Sequence, residues 1–337
     1  MWFFVGYGKE PQLKIAVIDD YQDAFRKLNC FSRLKDHEVV LFHDTEKDPA
    51  RLAARLGDSA AVILTQQRSP FPRALIEKLP GTLKLIAQTG RNTNHIDVAA
   101  CTEKGIVVAA AGGGTSYATA ELAWGLIIAS LRSIPHEVEQ LKQGVWQTAV
   151  GTGLHGKTLG IYALGKIGSC VAQVGKAFGM KVTCWGREAS QAKARELAYE
   201  VPANREAFFG NADIISLHIP LNKETRGIVT AGDLARMKPT ALIVNTSRAP
   251  IIGAGALVDA LKQGRPGFAA IDVYEEEPVT GGNHPLLKMP NAICTPHLGY
   301  VEQGTYESYY GTVIDSILGF ASGNPVNVLN PEALNKA

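Results

Sequence analysis

The sequence predicts an α/β protein made of two doubly wound parallel-sheet domains, and three observations predict it. Short β-branched apolar runs recur along the whole chain, a helical stretch or turn follows each, and a glycine cluster divides the series in two. Strand alternating with helix at this spacing builds βαβ units, whose parallel strands need the crossover connections that a sandwich lacks.

The first series reads as strands over residues 13–18, 38–42, 60–64, 84–87 and 106–109. Together they make one open sheet. Next comes Ala110-Ala111-Gly112-Gly113-Gly114, where three consecutive glycines carry too high an entropic cost for the middle of an element. A hinge or domain boundary is expected there. An apolar helix follows over 118–131, and a second strand series occupies 158–163, 182–185, 213–218, 241–245, 268–273 and 292–295. After His297 the pattern is helical over 302–320, before the polar Gly323-Asn324-Pro325. No further strand is left to build a third domain, so this helix is expected to return to the first. The domains are then a discontinuous one, 12–113 plus 299–330, and a continuous one, 114–298. A ligand is expected in the crevice between them.

At 337 residues, 46% hydrophobic and 20% charged, the chain is long enough for two domains of roughly 150 residues each. A net charge of +2 and a pI near 8.2 offer no basic excess to neutralise a run of phosphates, so no nucleic-acid partner is expected. The longest apolar stretches are broken by Gly or Ser and fall short of the roughly 20 residues that cross a bilayer. No membrane span is expected. Trp2-Phe3-Phe4-Val5 lacks a basic flank and a continuous apolar core, so residues 1–11 read as an exposed extension and not as a secretion signal. Five cysteines, Cys30, Cys101, Cys170, Cys184 and Cys294, lie far apart without metal-ligand spacing. Reduced thiols in a cytoplasm and no bound metal are the expectation.

Thr158-Leu159-Gly160-Ile161-Tyr162-Ala163-Leu164-Gly165-Lys166-Ile167-Gly168 is an apolar strand running into a glycine-containing turn and then a helix. Such a turn lets backbone N–H groups and the positive end of a helix approach a pyrophosphate. The dinucleotide fingerprint G-x-G-x-x-G has Ala163 in its first place. The context supports it all the same, because a second strand ends about twenty residues on. At that end stands Trp185-Gly186-Arg187-Glu188, without the Asp or Glu that accepts a ribose 2′-OH bond. Gly186 removes a repelling carboxylate and Arg187 can pair with a 2′-phosphate, so the cofactor reads as NAD or NADP with the balance toward NADP. The alternatives are a solvated or adenine-stacking Arg187, with Glu188 taking the ribose contact.

Four later segments each follow a strand of the second series: Leu217-His218-Ile219-Pro220, Asn245-Thr246-Ser247-Arg248, Asp272-Val273-Tyr274-Glu275-Glu276-Glu277-Pro278 and Thr295-Pro296-His297-Leu298-Gly299. Open α/β sheets bind ligands at these carboxyl ends. Removing hydride from a secondary alcohol requires a base for the hydroxyl proton, a role suited to His297. Glu277 on the other ring nitrogen would fix the tautomer and stabilise the imidazolium. Arg248 would hold the substrate carboxylate and polarise the C2 oxygen. Singly, each has an ordinary reading as a loop histidine, a solvated acidic run or a helix-start charge; jointly, at successive strand ends, they make a chemical set.

In order and spacing these motifs resemble the D-isomer-specific 2-hydroxyacid dehydrogenase family, from Lys14 to Val328. The resemblance implies a flavodoxin-like substrate domain, a Rossmann nucleotide-binding domain, hinge-bending closure, and Arg248, Glu277 and His297 as catalytic residues. It implies cofactor contacts from Leu164, Gly165, Lys166, Ile167, Gly168, Arg187, His218, Thr225, Thr246, Asp272, His297 and Gly299. Substrate contacts fall to Gly90, Arg91 and Asn92, whose amides would receive the carboxylate, and to Arg248 and His297. Asn92 replaces a usual glycine, Ala249 and Pro250 replace a glycine pair, and Tyr300 replaces a small residue, which puts the substrate in question more than the chemistry. The expected activity is reversible oxidation of a small D-2-hydroxy acid to a 2-keto acid, with phosphoglycerate dehydrogenase and glyoxylate or hydroxypyruvate reductase as candidates. A nucleotide-sensing scaffold like the corepressors that resemble this family is the alternative. A homodimer joined through residues 131–146 is also implied. His37, His43, His136 and His155 read as surface residues, His95 as part of a turn, and His218 as a cofactor-lining residue, not an acid or base.

Overall fold

The computed structural model describes residues 12–336, and the extension expected over residues 1–11 lies outside them. The elements run β1 (Lys14–Val17), β2 (Glu38–Leu41), α1 (Pro49–Leu56), β3 (Ala61–Leu64), α2 (Arg73–Ile76), β4 (Leu85–Thr89), α3 (Val98–Glu103), β5 (Val107–Ala111) and α4 (Ser116–Leu131). Then follow α5 (Ile134–Lys142), β6 (Thr158–Tyr162), α6 (Lys166–Ala177), β7 (Lys181–Trp185), α7 (Glu188–Glu196), α8 (Arg205–Asn211), β8 (Ile214–Leu217) and α9 (Ala231–Arg236). The last are β9 (Leu242–Asn245), α10 (Ala256–Lys262), β10 (Phe268–Ile271), β11 (Ala292–Cys294) and α11 (Gln303–Ala321). Every strand expected from the sequence is present. Two compact units result, one holding the chain up to Gly114 and from Glu302 onward, the other Thr115–Val301.

In the first unit all neighbouring strands are parallel, in the order β2-β1-β3-β4-β5. The apolar runs of β1, β3 and β4 are buried from both faces, which is why they read as continuous hydrophobic segments and not as alternating ones. On one face Leu52, Leu56, Leu75, Ile76 and Cys101 of α1, α2 and α3 join the sheet in one apolar cluster. Asp48 starts α1 by accepting the Arg51 N–H at 2.8 Å, with Pro49 in the first turn. The returning α11 contributes the buried Tyr310, Ile314 and Ile317, and Tyr310 Oη shares a 2.8 Å hydrogen bond with Thr65 Oγ1. Glu307 of α11 accepts the Asn29 and Cys30 N–H groups at 2.6 and 3.1 Å.

The glycine run has a packing reason besides its flexibility. A Cβ on Gly114 would lie 2.5 Å from Tyr309 Oη, so a larger residue there needs the Tyr309 ring to shift.

Beyond α11 the chain does more than the polar tail suggests. Residues 327–329 run antiparallel beside β5, with Ala110 N–H donating to Asn327 O at 3.1 Å and Leu329 N–H to Val108 O at 2.8 Å. Asn330 then accepts the Val108 N–H at 2.7 Å and donates to Ile106 O at 3.0 Å. An exposed sheet edge is thereby closed. One bridge and one asparagine leave no periodic pattern in the sequence.

The second unit has the order β11-β10-β9-β8-β6-β7, again parallel throughout. Outside β7, Glu200 makes a single parallel bridge to Thr183, in the place of a third strand. With that bridge the sheet contains the six-position order described for dinucleotide-binding sheets, extended by β11 at the far edge, and it reverses between β6 and β8. Apolar clusters cover both faces. One gathers Phe208, Phe209, Leu234, Leu257 and Leu261 of α8, α9 and α10, the other Trp124, Ile127, Val171 and Ala172 of α4 and α6. Thr230 and Asp233 form a reciprocal capping box that starts α9. Helix α5 buries none of its residues, and Ile134, Val138 and Leu141 stand exposed along it at helical spacing. Among the described residues, no helix is long and apolar enough to cross a membrane.

Candidate active site

The end of β6 delivers Ala163 at φ +74°, a left-handed conformation rare for a residue with a Cβ. Alanine therefore does the turning that glycine performs in the usual fingerprint, at a cost of about 1–2 kcal/mol. Gly168 is needed for a different reason, since a Cβ there would sit 2.4 Å from Ala163 O and push α6 off the strand end. The N-cap of α6 is Gly165, which offers no capping side chain and has open space where a Cβ would project. The first N–H groups of α6 thus lack a side-chain acceptor, and the positive end of its dipole is clear for an anion. This suits a dinucleotide pyrophosphate.

Leu164 is buried, and its N–H donates to Ser190 Oγ at 3.3 Å, so α7 helps hold the turn. Ser190 was not singled out in the sequence; its partner lies 26 residues away on another element. At the end of β7, Gly186 adopts φ +150° and Arg187 follows with 70% of its side chain exposed. Arg187 Nη2 lies 3.9 Å from Glu224 Oε2, itself 81% exposed, a contact that solvent screens heavily.

At the end of β8, His218 Nε2 and Ser216 Oγ are 2.9 Å apart. Burial lowers the His218 pKa to about 4, which keeps the ring neutral near pH 7. Thr225 Oγ1 donates to Pro220 O at 2.6 Å and closes the loop that follows. Thr246, beyond β9, is buried with its Oγ1 unpartnered, a polar atom facing no group of the described chain.

Asp272 organises the last loop. Its Oδ1 accepts from Thr295 Oγ1 at 2.6 Å and from Leu298 N–H at 2.7 Å, while Oδ2 accepts from Gly299 N–H at 2.9 Å. Burial raises this carboxyl above the ordinary aspartate value, against the pull of those donors and of His297. The loop so pinned carries His297 at φ +52°, a conformation in which histidine is enriched. His297 Nδ1 lies 2.6 Å from Glu277 Oε2, and Glu277 Oε1 accepts the Tyr274 N–H at 2.9 Å. Both members are part-buried, with side chains 22% and 30% exposed. Burial acts to raise the Glu277 carboxyl, but the His297 bond and charge, the Tyr274 amide and the Arg248 charge outweigh it and hold it below the ordinary glutamate value. Glu277 is therefore a carboxylate throughout the neutral range. Tyr300 packs edge-on to His297 at 5.2 Å between ring centroids.

Arg248 follows β9 in a turn that Asn245 ties down. Asn245 Oδ1 accepts the Ser247 N–H and its Nδ2 donates to Arg248 O, both at 3.0 Å. The guanidinium donates to Ser247 O at 2.7 Å. Arg248, Glu277 and His297 thus share one unit and one electrostatic neighbourhood.

In the first unit, Gly90 follows β4 at φ +81°, its N–H donating to Ala111 O at 2.8 Å. Arg91 and Asn92 are exposed, and Asn92 Oδ1 accepts the Asn94 N–H at 3.1 Å in a local turn. His95 O accepts the Phe71 N–H at 2.7 Å, while both ring nitrogens are buried without partners and burial lowers the pKa to about 4. Gln88 is buried and Gln66 part-buried with its Nε2 beside Gly90, and no role for either side chain is read from the sequence. A polar residue ending the apolar strand β4 was the signal for Gln88.

The chain is similar to known proteins in sequence and in fold. Residues 124–299 match the family described as D-isomer specific 2-hydroxyacid dehydrogenase, NAD binding domain. The glyoxylate reductase of Thermococcus litoralis is 33% identical over 313 residues, covering 90% of this chain and 93% of that one. A putative D-3-phosphoglycerate dehydrogenase oxidoreductase from Ralstonia solanacearum has a similar structure, with a TM-score of 0.92 and 50% identity over 96% of this chain and 98% of that chain. The phosphoglycerate oxidoreductase of Vibrio cholerae gives 0.89 and 46%, over 93% and 100%. The chain belongs to the D-isomer specific 2-hydroxyacid dehydrogenases, oxidoreductases with an NAD(P)-binding domain that move hydride to and from C2 of a D-2-hydroxy or 2-keto acid.

Proposed function

We propose that Arg248, Glu277 and His297 carry this chemistry, and the 2.6 Å contact between His297 Nδ1 and Glu277 Oε2 is the observation that supports it most. With Nδ1 engaged by a carboxylate, Nε2 is the nitrogen that gives a proton to the C2 oxygen in reduction and takes it back in oxidation. The Glu277 carboxylate stabilises the imidazolium and prevents the opposite tautomer. Arg248 binds the carboxylate and draws electron density from the C2 carbonyl. The nicotinamide, when bound, supplies or accepts the hydride. In the first unit Gly90, Arg91 and Asn92 are assigned to the substrate carboxylate. Glyoxylate, hydroxypyruvate and the 3-phosphorylated keto acid are the candidate substrates, in keeping with the names of the similar proteins.

Leu164, Gly165, Lys166, Ile167 and Gly168 would hold the pyrophosphate, and His218, Thr225, Thr246, Asp272 and Gly299 would line the rest of the cofactor site. Arg187 tips it toward NADP, since its weak partner Glu224 yields readily to a dianionic phosphate. Turnover of a 2-keto acid panel with NADH and NADPH tests both assignments. NADPH is expected to give the higher kcat/KM, and Arg187→Ala to weaken NADPH about tenfold while leaving NADH nearly unchanged. Cofactor binding without reduction of any keto acid would instead favour a nucleotide-sensing scaffold.

The exposed stripe of α5, continued by Val145 and Trp146, supports a homodimer through residues 131–146. Light scattering at micromolar concentration is expected to give twice the chain mass, and Leu141→Glu with Trp146→Glu the single mass. The described cysteines are all free, which fits a cytoplasmic enzyme.

A further inference from the structure

Tyr274, three residues beyond β10, bonds to both sides of the His297–Glu277 contact. Its backbone N–H donates to Glu277 Oε1 at 2.9 Å, and its phenol Oη donates to Thr295 O at 2.9 Å. The same carbonyl accepts the His297 N–H at 3.0 Å, closing a three-residue turn across Pro296. Both lone pairs of Thr295 O are therefore engaged, one by His297 and one by Tyr274. The rest of Thr295 is held elsewhere, its N–H donating to Ile271 O at 2.9 Å and its Oγ1 to Asp272. Ile271 and Asp272 thus tie the 295–299 loop to the end of β10, and the Tyr274 hydroxyl ties it to the segment that carries Glu277.

The phenol is well placed to keep that bond. Tyr274 is buried, and its ring packs edge-on to His284 at 5.0 Å between centroids. His284 is itself fixed, with Nε2 3.1 Å from Glu275 Oε2 and Nδ1 accepting the Leu286 N–H at 3.3 Å. Burial pushes the phenol above the ordinary tyrosine value, so the hydroxyl stays a donor throughout the neutral range. Packing against His284 needs only the ring. What the hydroxyl adds is the bond to the carbonyl from which His297 hangs.

We propose that Tyr274 is a positioning residue for proton transfer, its hydroxyl holding the His297 turn and its backbone N–H the Glu277 carboxylate at the separation their contact needs. This rests on the reading that His297 and Glu277 carry the acid–base chemistry. Without the hydroxyl the Thr295 carbonyl keeps one donor, the turn across Pro296 loosens, and the 2.6 Å contact is held for less of the time. The imidazolium then gains less from the carboxylate, so turnover falls and the ring loses its proton at lower pH. The other ionisable groups acting on the pair are Arg248 and Asp272, with Glu275, His284 and Cys294 beside Tyr274. Tyr274→Phe removes none of them. Substrate binding by Arg248 is also left as it was.

The test compares the wild type, Tyr274→Phe, Glu277→Gln and the double variant in keto-acid reduction, each by kcat, KM and the pH at which kcat declines. Tyr274→Phe is expected to lower kcat about tenfold with KM within about twofold. Its decline is expected about half a pH unit below that of the wild type. In the Glu277→Gln background the same substitution is expected to cost less than about twofold, because the carboxylate contact it protects is already gone. An unmoved pH profile in Tyr274→Phe, whatever the change in Tm, makes Tyr274 a packing residue and overturns the proposal. A full tenfold loss in the double variant also overturns it, since the hydroxyl then acts independently of Glu277. If Glu277→Gln itself leaves turnover and pH profile unchanged, the underlying reading fails and this inference with it. The single variant's pH profile decides the point even if the double variant does not fold.

Discussion

Replacing His297 with alanine is expected to lower turnover of the best 2-keto acid by about 10²–10⁴-fold, with cofactor affinity changed less than about threefold. The large effect follows because the proton for the C2 oxygen then has to come from water, without the Glu277 carboxylate behind the donor. The φ of +52° at His297 matters to the design, since alanine loses both the imidazole and a side chain suited to that backbone. His297→Asn keeps the left-handed tolerance and removes only the acid–base group. Steady-state kinetics with fluorescence titration of the nicotinamide separates the two quantities. If both variants lose cofactor affinity in proportion to turnover, His297 is a loop support and not the proton donor.

The second large effect is expected at Glu277→Gln, a nearly isosteric change. Glutamine can still accept the Tyr274 N–H, but its amide can also donate to His297 Nδ1 and so favour the tautomer with the proton on the wrong nitrogen. Turnover is expected to fall about 10²-fold or more. The pH dependence also changes. Glu277 has its carboxyl lowered in the folded protein, so its stabilising contribution is present above the unfolded carboxylate value and is lost only as pH falls through the folded one. Across a neutral assay range Glu277 therefore stays a carboxylate. With glutamine there, the imidazolium loses that support, and the profile for keto-acid reduction is expected to decline at lower pH than in the wild type. An unchanged profile with a reduced maximum would limit Glu277 to orienting the ring.

The strand series was legible because buried parallel strands are written as short apolar runs, as in Ala61–Leu64, and because crossover helices space them regularly. The dinucleotide turn was legible despite Ala163, since strand, turn and helix follow one another locally. What could not be read is what depends on contacts between distant segments. Ser190 reaches Leu164 across 26 residues, and the Asn330 amide closes β5 from more than 200 residues away. Neither has a periodic signature. The grouping of His297, Glu277 and Arg248 at strand ends was suggested by order alone, but the 2.6 Å contact depends on Asp272 pinning three donors of the 295–299 loop.

The site is proposed to deliver hydride to C2 and a proton from His297 to the C2 oxygen, making a D-2-hydroxy acid. Reduction of 3-hydroxy-2-oxopropanoate with NADPH or NADH deuterated at the transferring carbon, followed by mass and chiral analysis, tests it most directly. One deuterium on C2 of a product in the D configuration is expected, formed by the wild type and scarcely formed by His297→Asn. An L or racemic product, or a product without deuterium at C2, would contradict it.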